Sequence, residues 1–227
     1  MNPHIKLSLE TSNLIIDEFN NSDYQRLRDI AININKKSDL DKDNGYMPFY
    51  AFQVDKDVPN RELKISQKVA DFIIKSSKER EEKPRNTYRL AIRHKGNNDL
   101  IGNVTINMLP VEENGKLIYG DRGCFLDPEY SKNGYAIEAV RAVSHEFFKY
   151  YKEMDITAHP KNINSRHLIE RSGGRQIGQK ETSGYGHSEP RSVFKINKND
   201  FYKSCPFYQN MPNLLPQLMK QAKQENV

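Results

Sequence analysis

The chain has 227 residues and a mass of 26.4 kDa, with 35 Lys+Arg against 30 Asp+Glu, a formal net charge of +5 and a pI of about 9.0. It carries 15 Leu, 19 Ile, 9 Val and 10 Phe, just under a quarter of the residues, which with so small a net charge excludes an intrinsically disordered chain. No apolar run approaches the ~18–20 residues that cross a bilayer, Met1 to Glu10 lacks a signal-peptide core, and Cys124 and Cys205 form neither a CxxC pair nor a disulfide framework.

The expectation is a cytoplasmic protein with no membrane partner. Its basic residues are interspersed with acids, so nucleic acid is not singled out as a partner.

In chain order, residues 1–11 read as a loose lead-in. Leu14, Ile15 and Ile16 predict a short strand ending near Phe19. Ser22-Asp23-Tyr24-Gln25 has the form of a capping box, and Tyr24, Leu27, Ala31 and Ile34 at helical spacing predict a helix to about Asn35. Residues 36–60 are polar apart from Tyr46, Phe49, Tyr50 and Phe52, and read as a long loop. A second helix is predicted over Arg61–Arg80, with Ile65, Val69, Phe72 and Ile73 on one face.

Alternation follows. Tyr88, Leu90 and Ile92 oppose Arg89 and Arg93. After a turn at Lys95-Gly96-Asn97, the residues Ile101, Val104, Ile106 and Met108 alternate with polar ones. Asn114-Gly115 marks a hairpin, and a third strand is predicted to hold Leu117, Tyr119, Cys124, Phe125 and Leu126, completing an antiparallel meander.

The period then changes. Ala136, Val140, Val143, Phe147 and Tyr150 or Tyr151 mark a helix of about 16 residues; Met154, Ile156 and Ala158 mark a strand; two helical turns around Ser165–Ser172 stop at Gly173-Gly174; and Arg175–Lys180 with Ser192–Ile196 reads as a closing hairpin. Strand, helix, strand over 117–158 implies a right-handed crossover between parallel strands. The expected class is α/β with a mixed sheet.

The site is expected at Leu126-Asp127-Pro128-Glu129-Tyr130-Ser131-Lys132-Asn133-Gly134-Tyr135-Ala136. A strand ends, Pro128 stops pairing, and Gly134 opens a helix whose first-turn N–H groups have no internal partner and carry partial positive charge. Gly134 lets an anion approach the backbone, and Lys132 could add charge, as in a pyrophosphate cradle; the alternative on these residues alone is plain turn geometry before a helix.

The run from Gly123 to Ala139 resembles motif A of the GNAT acetyltransferases, and more narrowly the RimJ/RimL-like branch. Asn162-Ile163-Asn164-Ser165 followed by Ile169-Glu170-Arg171-Ser172-Gly173 resembles that family's N-x-x-S…E-K-x-G-F segment, and the element order also follows a GNAT order.

The resemblance covers residues 12–197 as the acetyltransferase domain, after the lead-in 1–11, and leaves 198–227 as an extension whose Leu214, Leu215, Leu218 and Met219 form an apolar stripe suited to the domain or to a second subunit. It implies a GNAT-like fold with two splayed parallel strands ending at Leu126 and Ala158, and acetyl-CoA as co-substrate. It implies no metal.

By position, backbone groups of Cys124, Phe125 and Leu126 would hold the pantetheine arm, and the Leu126 N–H would polarise the thioester carbonyl. The N–H groups of Lys132, Asn133, Gly134, Tyr135 and Ala136 would bind the pyrophosphate. Asn162 would contact the pantetheine and Ser165 would lie near the sulfur.

Asp121 matches an acidic position of the branch and is the candidate base, against the alternative that it pairs with a cation. Ser165 is the candidate acid, or else a helix cap.

The departures are Ser131 where the branch has Trp, Ile169 where many members carry Tyr, and Gly174 for Phe. Cys124 has no flanking His to activate it and reads as a buried strand cysteine, while His145-Glu146 fails HExxH because position 149 is Lys. Gly184-Tyr185-Gly186-His187-Ser188-Glu189 would form the last hairpin loop. The expected acceptor is a protein N-terminal amine. A small amine or aminoglycoside-like acceptor is the alternative, as is an acyl-CoA-binding module without catalysis, and both monomer and homodimer stay open.

Overall fold

The computed structural model describes residues 8–41, 52–82, 85, 87–107, 111–113, 116–118, 122–149, 151–184 and 187–209. Strand β1 (Leu9–Glu10) pairs antiparallel with β2 (Leu14–Glu18), so the lead-in already contributes to the sheet, and Leu9 enters the core.

Helix α1 (Tyr24–Asp41) follows a one-turn 3-10 segment at Asn21–Asp23. The capping box sits earlier than Ser22 and Gln25 predict. The Asn20 side chain accepts from the Ser22 amide at 2.8 Å, and Asp23 accepts from the Asn20 amide at 2.9 Å. Asp23 also takes both terminal nitrogens of Arg93, at 2.7 and 2.9 Å.

Leu27, Ile30, Ala31 and Ile34 recur every three to four residues and are buried. Helix α2 (Arg61–Glu81) buries Ile65, Val69, Phe72 and Ile73 from the same side. Together with Phe19, Phe52, Ala91 and Phe125 they form one core.

Strands β3 (Thr87–His94), β4 (Leu100–Asn107) and β7 (Arg122–Leu126) complete a five-stranded sheet of order β1-β2-β3-β4-β7, with antiparallel pairing throughout. The segment expected as one third strand is broken in two. Short β5 (Val111–Glu113) and β6 (Lys116–Ile118) pair as a separate hairpin, and only Arg122–Leu126 joins β4. Asn114-Gly115, Met108 and Tyr119 lie outside the described residues, as do Tyr46, Phe49 and Tyr50.

Helix α3 (Tyr135–Phe147) lies against the other sheet face, burying Ile137, Val140, Val143 and Phe147. Each such side chain contributes roughly 1.5–3 kcal/mol by leaving water. Strand β8 (Glu153–Ala158) is an edge of a second sheet, order β8-β10-β9, built with β9 (Arg175–Gly184) and β10 (His187–Asn197). This closing hairpin is longer than expected: Gly184 already pairs with His187, so His187–Glu189 belong to a strand, while Tyr185 and Gly186 lie outside the described residues.

Helix α4 (Ile163–Glu170) precedes β9, and α5 (Lys198–Ser204) with α6 (Pro206–Gln209) follows β10. Phe201 and Cys205 are buried in the α3 core, so the chain past 197 begins by completing that core. The stripe from Leu214 to Met219 lies outside the described residues.

Candidate active site

Beyond β7 the backbone is steered residue by residue. The Asp127 amide makes a bond to the Ile101 carbonyl at 2.8 Å, and the Asp127 side chain caps the one-turn 3-10 segment Pro128–Tyr130. Lys132 (φ 67°) and Gly134 (φ 83°) then both take left-handed backbone, and α3 starts. For Lys132 that conformation costs about 1–2 kcal/mol.

The amides of Lys132 through Ile137 make no hydrogen bond among the described residues, and Gly134 provides α3 with no side-chain cap. A Cβ built on Gly134 meets nothing within 4 Å, and residues 131–134 are exposed. Uncapped amides, the positive end of α3 and open space in front of them together suit a diphosphate.

Strand β7 is the outer strand of one sheet and β8 an edge of the other, and among the described residues no ladder joins them. Opposite residues of an antiparallel pair alternate between bonded and unbonded. Asp127 bonds Ile101, and Leu126 stands opposite Gly102. The N–H and C=O groups of Leu126 and Cys124 therefore face the free edge, and those of Phe125 face β4. The Phe125 ring turns to the other core, 5.4 Å from the Phe52 ring.

The β4–β7 contact is tight. A Cβ on Gly102 would lie 2.2 Å from the Phe125 carbonyl oxygen and 2.7 Å from a Leu126 methyl carbon, so only glycine fits there.

Beyond β8, Asn162 caps α4, its Oδ1 accepting from the Ser165 amide at 2.9 Å. The cap is thus Asn162. The Ser165 hydroxyl and the Asn162 Nδ2 have no partner among the described residues. Ile169 is buried in the core and offers no hydroxyl, and a Cβ on Gly174 would come 2.5 Å from Ile169 Cγ2. The Ile169 and Gly174 departures are thereby one packing solution.

Asp121 lies outside the described residues. Burial pushes the Cys124 thiol up to about 12, the opposite of what a nucleophilic thiolate requires. No cluster of His, Cys, Asp or Glu suited to a metal occurs among the described residues.

Several supporting residues carry no motif. Asp127 is fully buried and ion-paired to Arg26 of α1 at 2.7 Å. Glu138 in the first turn of α3 accepts from the Asn13 amide at 2.8 Å and from the Asn13 side chain at 3.0 Å. The Asp-Pro pair does signal the cap in sequence, but its partners lie too far along the chain for any local pattern to reveal them.

The decisive comparison is with the family described as acetyltransferase (GNAT) domain, whose model matches residues 15–175. The chain belongs to the GNAT acetyltransferases. It is accordingly an acyltransferase, and acetyl-CoA, the acetyl donor of these enzymes, is its co-substrate.

Among solved structures, a GNAT-family acetyltransferase from Bacillus anthracis is similar at 19% identity and TM-score 0.60, over 85% of this chain and 99% of the other. RimJ from Mycobacterium smegmatis, in complex with CoA-disulfide, is similar at 14% identity and TM-score 0.65, over 88% and 91%. RimL, a ribosomal L7/L12 alpha-N-protein acetyltransferase in complex with coenzyme A, is similar at 12% identity and TM-score 0.58, over 84% and 98%. At these identities the likeness establishes the GNAT fold. No curated protein matches the chain. No described helix is long and apolar enough to cross a membrane.

Proposed function

We propose that this GNAT acetyltransferase transfers the acetyl group of acetyl-CoA directly to a primary amine, the N-terminal amine of a protein. The observation that carries the reading is the row of unbonded amides from Lys132 to Ile137, with open space at Gly134, just past the free edge of β7. The acceptor class is supported by the similarity to RimJ and RimL, the latter described as an alpha-N-protein acetyltransferase.

In this reading the amides of Lys132, Asn133, Gly134, Tyr135 and Ala136 hold the pyrophosphate. The outward backbone groups of Cys124 and Leu126 hold the pantetheine arm, with the Asn162 Nδ2 on its other side. Acetyl-CoA supplies an activated thioester.

The Leu126 N–H donates to the carbonyl oxygen as negative charge builds on it. The amine must be neutral to attack, and Asp121 takes its proton through water. When the C–S bond breaks, the Ser165 hydroxyl gives a proton to the departing sulfur and regains one from solvent.

Purified protein is mixed with acetyl-CoA and a panel of peptides with free N-termini, small amines and aminoglycosides, and free thiol is followed. Release with peptides alone supports the reading. Release only with small amines moves the acceptor to that class. Silence while acetyl-CoA still binds identifies a binding module without catalysis, to which Ile169 in place of a tyrosine would then be the pointer.

A further inference from the structure

The carboxylate of Asp127 is completely withdrawn from solvent. Three donors meet it: Arg26 Nη2 at 2.7 Å, Asn33 Nδ2 at 3.2 Å and the Glu129 amide at 3.2 Å. Arg26 and Asn33 stand two turns apart on α1, so one helix face supplies both. Arg26 also donates through Nε to the Leu100 carbonyl at 3.1 Å, bridging the start of β4 to the residue that follows β7.

Asp127 thus sits between two parts of the proposed site. Leu126, with its outward N–H, precedes it, and the turn it caps leads through Tyr130 to the left-handed Lys132 and Gly134. A desolvated carboxylate is held in place by its donors; deprived of its cation it is strongly destabilised. It regains water if the 127–130 turn swings outward.

We propose that Arg26, with Asn33, is a positioning clamp. Acting through Asp127, it fixes the segment from Leu126 to Gly134 in the conformation that receives acetyl-CoA. This rests on the reading of that segment as the coenzyme site. None of the three residues provides a group to the reacting atoms.

The test uses the full chain. Arg26 is partly exposed, and α1 keeps its buried face of Leu27, Ile30, Ala31 and Ile34 without it, so Arg26→Gln is expected to fold. The acetyl-CoA Kd, measured by titration calorimetry, is expected to rise about tenfold, a loss of ~1.4 kcal/mol. KM for acetyl-CoA rises with it and kcat changes less. Amide exchange at Asp127, Glu129, Tyr130 and Ser131, the bonded amides of the turn, accelerates without any ligand. Arg26→Lys restores a cation to Asp127 and recovers much of the affinity, and Asn33→Ala moves Kd in the same direction by less.

A merely structural pair would lower the Tm of Arg26→Gln and leave Kd, KM and exchange as they were; that result overturns the clamp. Faster exchange with unchanged Kd overturns it too. If the unmutated protein binds no acetyl-CoA, the site reading itself fails, and the clamp fails with it.

Discussion

At the scale of single residues, Gly134 is the most exposed point of the proposed site to challenge. Its φ of 83° taxes any side chain, and the space in front of it is open. Gly134→Glu should therefore leave the protein folded at a cost of about 1–2 kcal/mol. Its carboxylate and bulk, placed against the diphosphate, should weaken acetyl-CoA binding by roughly tenfold or more, read by calorimetry. Gly134→Ala is the control: it shares the backbone strain and lacks the charge.

Ser165→Ala addresses the chemistry. With the Ser165 hydroxyl unpartnered among the described residues, its loss should lower kcat by roughly a hundredfold with the acetyl-CoA Kd unchanged, if it protonates the thiolate. Equal turnover would discard that role.

The residues near this cradle were legible because the strand end, Pro128, the glycine and the helix start are all local in sequence; the cap by Asp127 was not read from it. Arg26, Asn33 and Asn13 were not, because each meets the site through a contact between distant elements that leaves no period behind.

At the scale of elements, the edge of β7 depends on Gly102. The Phe125 carbonyl oxygen lies where a Cβ would stand, and a backbone atom cannot yield as a flexible side-chain tip can. Gly102→Ala should cost about 3 kcal/mol of stability by urea unfolding and displace Leu126, so that acetyl-transfer activity of the surviving folded protein falls as well.

The elements read most easily were those with one buried face. Helix α2 and strands β2, β3 and β8 lie where the apolar pattern predicts them. Helix α1 runs on to Asp41, well past Asn35, and those last turns carry no apolar period, since they are mostly polar and Leu40 is 80% exposed. Strand β9 starts at Arg175 as expected but runs past Lys180 to Gly184, and its exposure on both faces over Arg175–Glu181 erases the alternation that would mark its length. Between β6 and β7 the sequence is Tyr119-Gly120-Asp121, and that Gly-Asp pair is the one local cue that the two strands are separate.

At the scale of the whole molecule, two cores sandwich the five-stranded sheet, and α5 closes one of them against α3. His145 lies in that closure, its Nδ1 3.1 Å from the Tyr202 hydroxyl. Burial, helped by Lys149 and Lys198, lowers its pKa from 6.5 to about 4.

Below 6.5 the unfolded chain takes up a proton that the folded form refuses. The stability from neutral His145 is therefore complete above 6.5 and drains away as pH falls toward 4. Between pH 7 and pH 5 the unmutated protein should lose about 2 kcal/mol more than His145→Gln, measured by urea unfolding at both values.

The bonds between Asn13 and Glu138 set a condition on how this protein is handled. They tie the loop joining β1 and β2 to the opening turn of α3, where the coenzyme's phosphates are proposed to rest. Trimming into Asn13, or crowding it with a fused tag, would therefore be felt first as looser nucleotide grip, before any loss of the hydrophobic interior.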